Sequence, residues 1–155
     1  MKNLTPHALD ELTKQAHASP RRRAHLTLHP ELTDPVQRLA IAMEPDTVVQ
    51  PHRHPQSFEL LHALRGRFVV LYFDDAGAVT RRFVLGGDSL MLETPPNTWH
   101  AVLSLDIGGV IFEVKKGPYV PSVGADTAAW GQSAEPARTA ALLAWYRQAN
   151  LGQRF

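Results

Sequence analysis

Two histidines one residue apart, His52 and His54, followed at short distance by Glu59, are the side chains of this sequence best suited to chemistry. Side chains on an extended strand alternate with a period of two, so a His-x-His pair presents both imidazoles to one side. Neutral imidazole is a good ligand for first-row transition metals, and a carboxylate adds negative charge that offsets a cation. His52, His54 and Glu59 therefore make a partial coordination shell. His100 is the candidate fourth ligand, because the turn-rich stretch Pro95-Pro96-Asn97-Thr98-Trp99 before it can deliver a side chain from a neighbouring strand into the same interior. Four protein ligands on an octahedral ion leave two positions for water or substrate.

A His-x-His pair alone is common on exposed loops, so the metal reading depends on the elements that would position it. From about residue 36 the chain breaks into short runs rich in Val, Ile, Leu and Phe, at residues 36–43, 47–52, 57–64, 67–73, 78–85, 89–93, 100–105 and 110–115. Gly, Pro and Asp punctuate them, and the connections Arg65-Gly66, Asp74-Asp75-Ala76-Gly77, Gly86-Gly87-Asp88 and Asp106-Ile107-Gly108-Gly109 hold residues that tolerate turn backbone angles. Many short strands joined this tightly predict an all-β sandwich or barrel. Thr5-Pro6 reads as a cap and first turn for a helix carrying Leu9, Leu12 and Ala16 on one face, stopped by Ser19-Pro20. Beyond Gly117-Pro118-Tyr119, an Ala/Ser/Pro-rich linker leads to residues 136–149, where Leu142, Leu143, Tyr146 and Ala149 share a helical face.

Composition bounds the rest. The 155 residues, 44% hydrophobic, suit one domain with one sizeable core. With 16 basic and 15 acidic side chains the formal charge is +1, which points away from nucleic acid and anionic membranes and toward small molecules or self-association. The absence of cysteine removes disulfides, thiolate nucleophiles and Cys-based zinc sites. No signal-peptide core or bilayer-length apolar run is present, so the expectation is a cytoplasmic protein.

Residues 46–66 resemble the first motif of the cupin superfamily: a turn residue, His-x-His, Glu and Gly at the motif's spacings, with Asp46 in place of the leading glycine. Residues 87–100 resemble the second motif more loosely, with a longer spacer before Pro95 and Asn97 where glycine is usual; Ser104 stands where asparagine is common. Asn tolerates a left-handed backbone, so the turn can survive. More narrowly, Ser19-Pro-Arg-Arg-Arg-Ala-His-Leu, Val36-Gln-Arg-Leu, Pro51-His-Arg-His-Pro, Phe73-Asp-Asp-Ala-Gly, Thr98-Trp-His and Phe112-Glu-Val-Lys-Lys-Gly-Pro-Tyr are similar to the WbuC family of cupin-fold metalloproteins. The resemblance implies a cupin double-stranded β-helix, or jelly-roll barrel, over residues 21–120, a helical arm at 1–20, and a linker and C-terminal helix at 121–155. It implies a divalent transition metal (Fe, Mn, Zn, Ni or Co) on His52, His54, Glu59 and His100. The family is associated with lipopolysaccharide O-antigen gene clusters, and its reaction is not established.

On that basis the expected function is a metal-dependent enzyme of isomerase or epimerase kind acting on a sugar or sugar nucleotide. A non-enzymatic sugar- or metal-binding module and an iron-dependent dioxygenase are the alternatives. The expected partners are a small-molecule ligand of carbohydrate kind and a second copy in a homodimer, with neither nucleic acid nor membrane. Arg53, Glu113, Lys115 and Trp99 are candidates without an assigned role, and no spacing argument selects a catalytic residue among them. Glu113 and Lys115 share a strand face, and pointing inward they would be expensive to bury unless they met substrate or the metal shell. Trp99, Phe68, Tyr72 and Phe112 are pocket candidates for stacking on a sugar, with barrel core as the ordinary role. Arg21-Arg22-Arg23 reads first as a solvated charge run and second as a phosphate contact. His7, His17, His25, His29 and His62 lie outside the motifs and receive no role, His25 being the first to inspect.

Overall fold

Among the described residues, eight strands in two antiparallel sheets, with one helix against the outside of each, make up the fold. The computed structural model describes residues 1–121, 124–132 and 135–155; part of the expected linker, residues 122–123 and 133–134, lies outside the described residues. The elements are α1 (Pro6–Ala18), β1 (Arg23–Thr27), β2 (Val36–Met43), β3 (Glu59–Arg65), β4 (Phe68–Phe73), β5 (Val79–Leu85), β6 (Met91–Thr94), β7 (Trp99–Ser104), β8 (Gly109–Lys116) and α2 (Pro136–Gln148), with short 3-10 turns at Gly124–Asp126 and Ala129–Gly131. One sheet runs β1-β2-β8-β3-β6 and the other β5-β4-β7.

Alternation along the strands builds the layers. On β4 all six residues are buried because the strand is covered on both faces, which is why Phe-Val-Val-Leu-Tyr-Phe reads as an unbroken apolar run. Phe68, Val70 and Tyr72 meet Ile41, Met43, Leu61, Val102 and Ile111 between the sheets. Val69, Leu71 and Phe73 face the other way, against Leu142, Leu143, Tyr146 and Ala149 of the α2 segment. Helix α1 lays Leu12 and Ala16 over Ala40, Ala42 and Val110, small residues that admit a helix close to the five-stranded sheet. Each large apolar side chain so covered contributes about 1.5–3 kcal/mol of burial. Thr5 caps α1 by accepting a hydrogen bond from the Ala8 amide at 3.1 Å.

The turns follow the expected chemistry. Gly66 takes a φ of 72° between β3 and β4, a left-handed conformation that a side chain would strain. Asn97 takes a φ of 59°, so the second motif's turn keeps its left-handed backbone without glycine.

Two segments depart from the strands expected from the sequence. Residues 47–52 are extended but not a strand: only His52 makes bridges, to His100 and Thr127, and Pro51 has no amide to donate. β1 was not anticipated, because its period-two pattern has Ala24 and Leu26 facing α1 and only polar Arg23, His25 and Thr27 on the opposite face. No helix among the described residues is long and apolar enough to cross a membrane.

Candidate metal centre

The two sheets meet at the four candidate ligands. Glu59 opens β3 in the five-stranded sheet, His100 lies on β7 in the three-stranded sheet, and His52 and His54 sit on the loop leading into β3. His52 and His100 are joined directly: the His52 amide donates to the His100 carbonyl and the His100 amide to the His52 carbonyl, both at 2.9 Å. That antiparallel bridge, between residues far apart in the chain, sets the imidazoles side by side with ring centroids 4.4 Å apart.

One ligand atom from each of His52, His54, Glu59 and His100 can be chosen so that all lie within 4.8 Å of one another. Each outer histidine is oriented by its backbone: Nδ1 of His52 is 2.9 Å from the Gln50 carbonyl, and Nδ1 of His100 is 2.9 Å from the Thr98 carbonyl. The Nδ1 proton donates to that carbonyl, which leaves the Nε2 lone pair free, the arrangement that orients metal-ligating histidines. His54 Nε2 and His100 Nε2 each lie 2.8 Å from an oxygen of Glu59. Both nitrogens are nevertheless buried without a hydrogen-bond partner. Buried polar atoms are rarely left so, and two such nitrogens turned toward the Glu59 carboxylate fit a shared cation.

The electrostatics of His52 and Glu59 agree with that fit. Burial, then the adjacent His100, pushes the His52 imidazole down to about 4, leaving it neutral and able to coordinate at pH 7. Burial alone would raise Glu59, but its contacts with His100 and His54 outweigh that and hold the carboxylate ionised well below its usual range. Burial likewise works against a charged His100, and the neighbouring Glu59 reverses the direction and raises it.

The centre borders a cavity of about 440 Å³ between the sheets. Glu113 and Lys115 point into it, which settles the orientation that spacing left open: Glu113 is 7% exposed, and Lys115 Nζ is 2.9 Å from its Oε1 and 3.6 Å from Glu59 Oε1. The register explains the contact, since Glu59 and Lys115 are directly paired across β3 and β8. Burial, reinforced by the Glu59 charge, raises the Glu113 carboxyl above its ordinary value. Lys115 is raised because Glu113 and Glu59 outweigh its burial.

Other sequence candidates go elsewhere. Arg53 lies over the Trp99 ring at 4.5 Å and pairs with Asp126 at 3.4 Å, outside the lining of this cavity. Trp99 donates its indole N–H to Asp75 and packs on the core beneath α2. Phe68 and Tyr72 are core, and Phe112 packs under α1, so none of these aromatics lines the cavity. His62 is bonded to the Leu90 carbonyl, a structural contact, whereas His29 accepts from the Arg38 amide and also lines the cavity. Arg21, Arg23 and His25 do reach the cavity wall. The signal in the sequence was the spacing of Arg23, His25 and Thr27, masked by reading the arginines as one solvated run. A second omission is the segment after the barrel, where the Arg53 amide donates to Asp126 and the Ala128 amide to Pro51, strapping the ligand loop in place.

A model of the family described as a domain of unknown function (DUF6016) matches residues 4–85, which include His52, His54 and Glu59. No curated protein matches the sequence. Among solved structures, TT1209 from Thermus thermophilus is 18% identical with a TM-score of 0.55, over 75% of this chain and 95% of that one. The conserved SPY1581 protein from Streptococcus pyogenes is 13% identical with a TM-score of 0.53, over 77% and 90%. Oxalate oxidase in complex with glycolate is 17% identical with a TM-score of 0.50, over 63% of this chain; the match spans about half of that enzyme, 52%. At these identities the likeness concerns the fold, a cupin-type β-sandwich.

Proposed function

This chain belongs to the family described as a domain of unknown function (DUF6016), and from that premise we propose that it is a divalent-metal-dependent enzyme acting on a sugar or sugar nucleotide. The reaction is of isomerase or epimerase kind and serves lipopolysaccharide O-antigen assembly, in the cytoplasm, with the protein as a homodimer. The observation that carries the proposal is the convergence of His52, His54, Glu59 and His100 from two segments onto one cavity that also holds the buried Glu113–Lys115 pair. The similarity of six segments to the WbuC family supports the sugar and O-antigen setting.

His52, His54, Glu59 and His100 would hold the ion. When bound, a divalent cation supplies Lewis-acid polarisation of a substrate oxygen. Glu113 Oε1 is the group placed to take a proton from the substrate, since a carboxyl raised toward neutrality is a better general base than an ordinary one. That proton leaves a carbon beside a carbonyl, whose oxygen takes the electron pair and a proton from Lys115 Nζ, 2.9 Å from Glu113; Glu113 then returns its proton to the neighbouring carbon and Lys115 recovers one from the adjacent hydroxyl. The enclosing apolar residues, Leu39, Ile41, Val102 and Ile111 among them, keep water from the reacting atoms.

Incubation of metal-loaded, tag-free protein with a panel of sugar nucleotides and free sugars tests this. Turnover that disappears on chelation and in Glu113→Gln is the expected outcome. Saturable binding without product would replace the enzyme by a sugar-binding module.

A further inference from the structure

Two guanidinium groups on the cavity wall pair with no carboxylate among the described residues. Arg22 takes the left-handed backbone of its turn and pairs with Asp46, its Nε 3.1 Å from the carboxylate. Arg21 and Arg23, on either side of it, make no ion pair among the described residues, and Nε of Arg23 is buried with no hydrogen-bond partner. A buried donor left unsatisfied costs free energy that an incoming acceptor restores. His25 follows Arg23 on the same face of β1, as the strand period requires. Arg21 and Arg23 line both the cavity bordered by the four ligands and a groove of about 500 Å³ outside it, where Gln50 and Thr127 also contribute. The arginines thus stand where an elongated ligand would pass from groove to cavity, and His52 itself borders both spaces.

We infer that Arg21, Arg23 and His25 form a subsite for the phosphate of a sugar phosphate ester, holding it so that the sugar enters the cavity beside His52. This rests on the reading of the cavity as a sugar site and names the charge its substrate carries. Planar guanidinium groups match phosphate oxygens with paired donors, which a lone ammonium does not. The two carboxylates in the cavity have Lys115 between them, and neither pairs with Arg21 or Arg23, so the arginines' charge is left for a ligand. Burial, with Arg21 and Lys115, lowers the His25 imidazole, a direction consistent with the cationic field at this wall.

Titration calorimetry on full-length protein stripped of metal, with inorganic pyrophosphate as the probe, separates this subsite from the metal centre. Wild type should bind saturably and more weakly as salt rises, and Arg23→Met should lose about tenfold in affinity, the worth of a charge-assisted hydrogen bond. Arg21→Met should lose less, Arg23→Lys should lose less than Arg23→Met, and Arg81→Met, on the exposed face of β5, should bind as wild type. If Arg23→Met does not fold, Arg21→Met and Arg23→Lys decide. On metal-loaded protein, glucose 1-phosphate and UDP-glucose distinguish a monophosphate from a diphosphate source. Absence of saturable pyrophosphate binding, unchanged affinity in the arginine variants, or glucose binding as tightly as glucose 1-phosphate would overturn the inference. Pyrophosphate binding in a protein that takes up no metal would remove the metal-centre reading and leave the subsite standing.

Discussion

His52, on the loop before β3, and His100, on β7, reach one point, and each has a backbone carbonyl fixing its ring. His52→Ala or His100→Ala should therefore abolish stoichiometric metal binding while the barrel stays folded, measured by elemental analysis of tag-free protein beside circular dichroism. Full metal retention in either variant would exclude these ligands. Lys115 is held between two carboxylates, and Lys115→Met would strand Glu113 and Glu59 without their cation. The expected loss is about 3 kcal/mol in urea unfolding of metal-free protein, because removing one partner leaves uncompensated buried charge. At this scale the grouping of His52, His54, Glu59 and His100 was legible, since coordination demands particular residue types at particular spacings. The inward direction of Glu113 and Lys115 was not, because period two leaves two faces and only the register with β3 chooses between them.

Strand β7 reaches the centre through a turn whose geometry depends on one residue. Asn97 donates its amide to the His54 carbonyl at 2.8 Å while holding a positive φ, so the turn and the ligand loop are tied together. Asn97→Gly should be close to neutral, whereas Asn97→Val should cost about 1–2 kcal/mol in thermal unfolding. Helix α2 presents Leu142, 2% exposed, to the back of the three-stranded sheet. Leu142→Ala should cost about 3 kcal/mol in the same measurement by opening a cavity under the helix. Both helices and most strands were readable from their apolar periods. β1 was not, because a strand that gives one face to a small helix contact and the other to a polar cavity carries too few apolar residues to show a period.

Across the whole molecule, the post-barrel segment closes over the ligand loop it follows by some seventy residues of chain. Gly131 packs so tightly on Pro51 that an added Cβ would fall 2.3 Å from the proline ring. Gly131→Ala should lift that strap and weaken metal affinity about tenfold, as loss of supporting contacts around a site commonly does, in a competitive chelator titration. The mutual amide bridge between His52 and His100 has a further consequence for motion. Each of these amides donates to the other's carbonyl. A single local opening event must expose both to solvent, so their deuterium uptake should follow one common rate despite the chain length between them. The same event separates the two imidazoles, so it opens a route by which an ion held by both would leave.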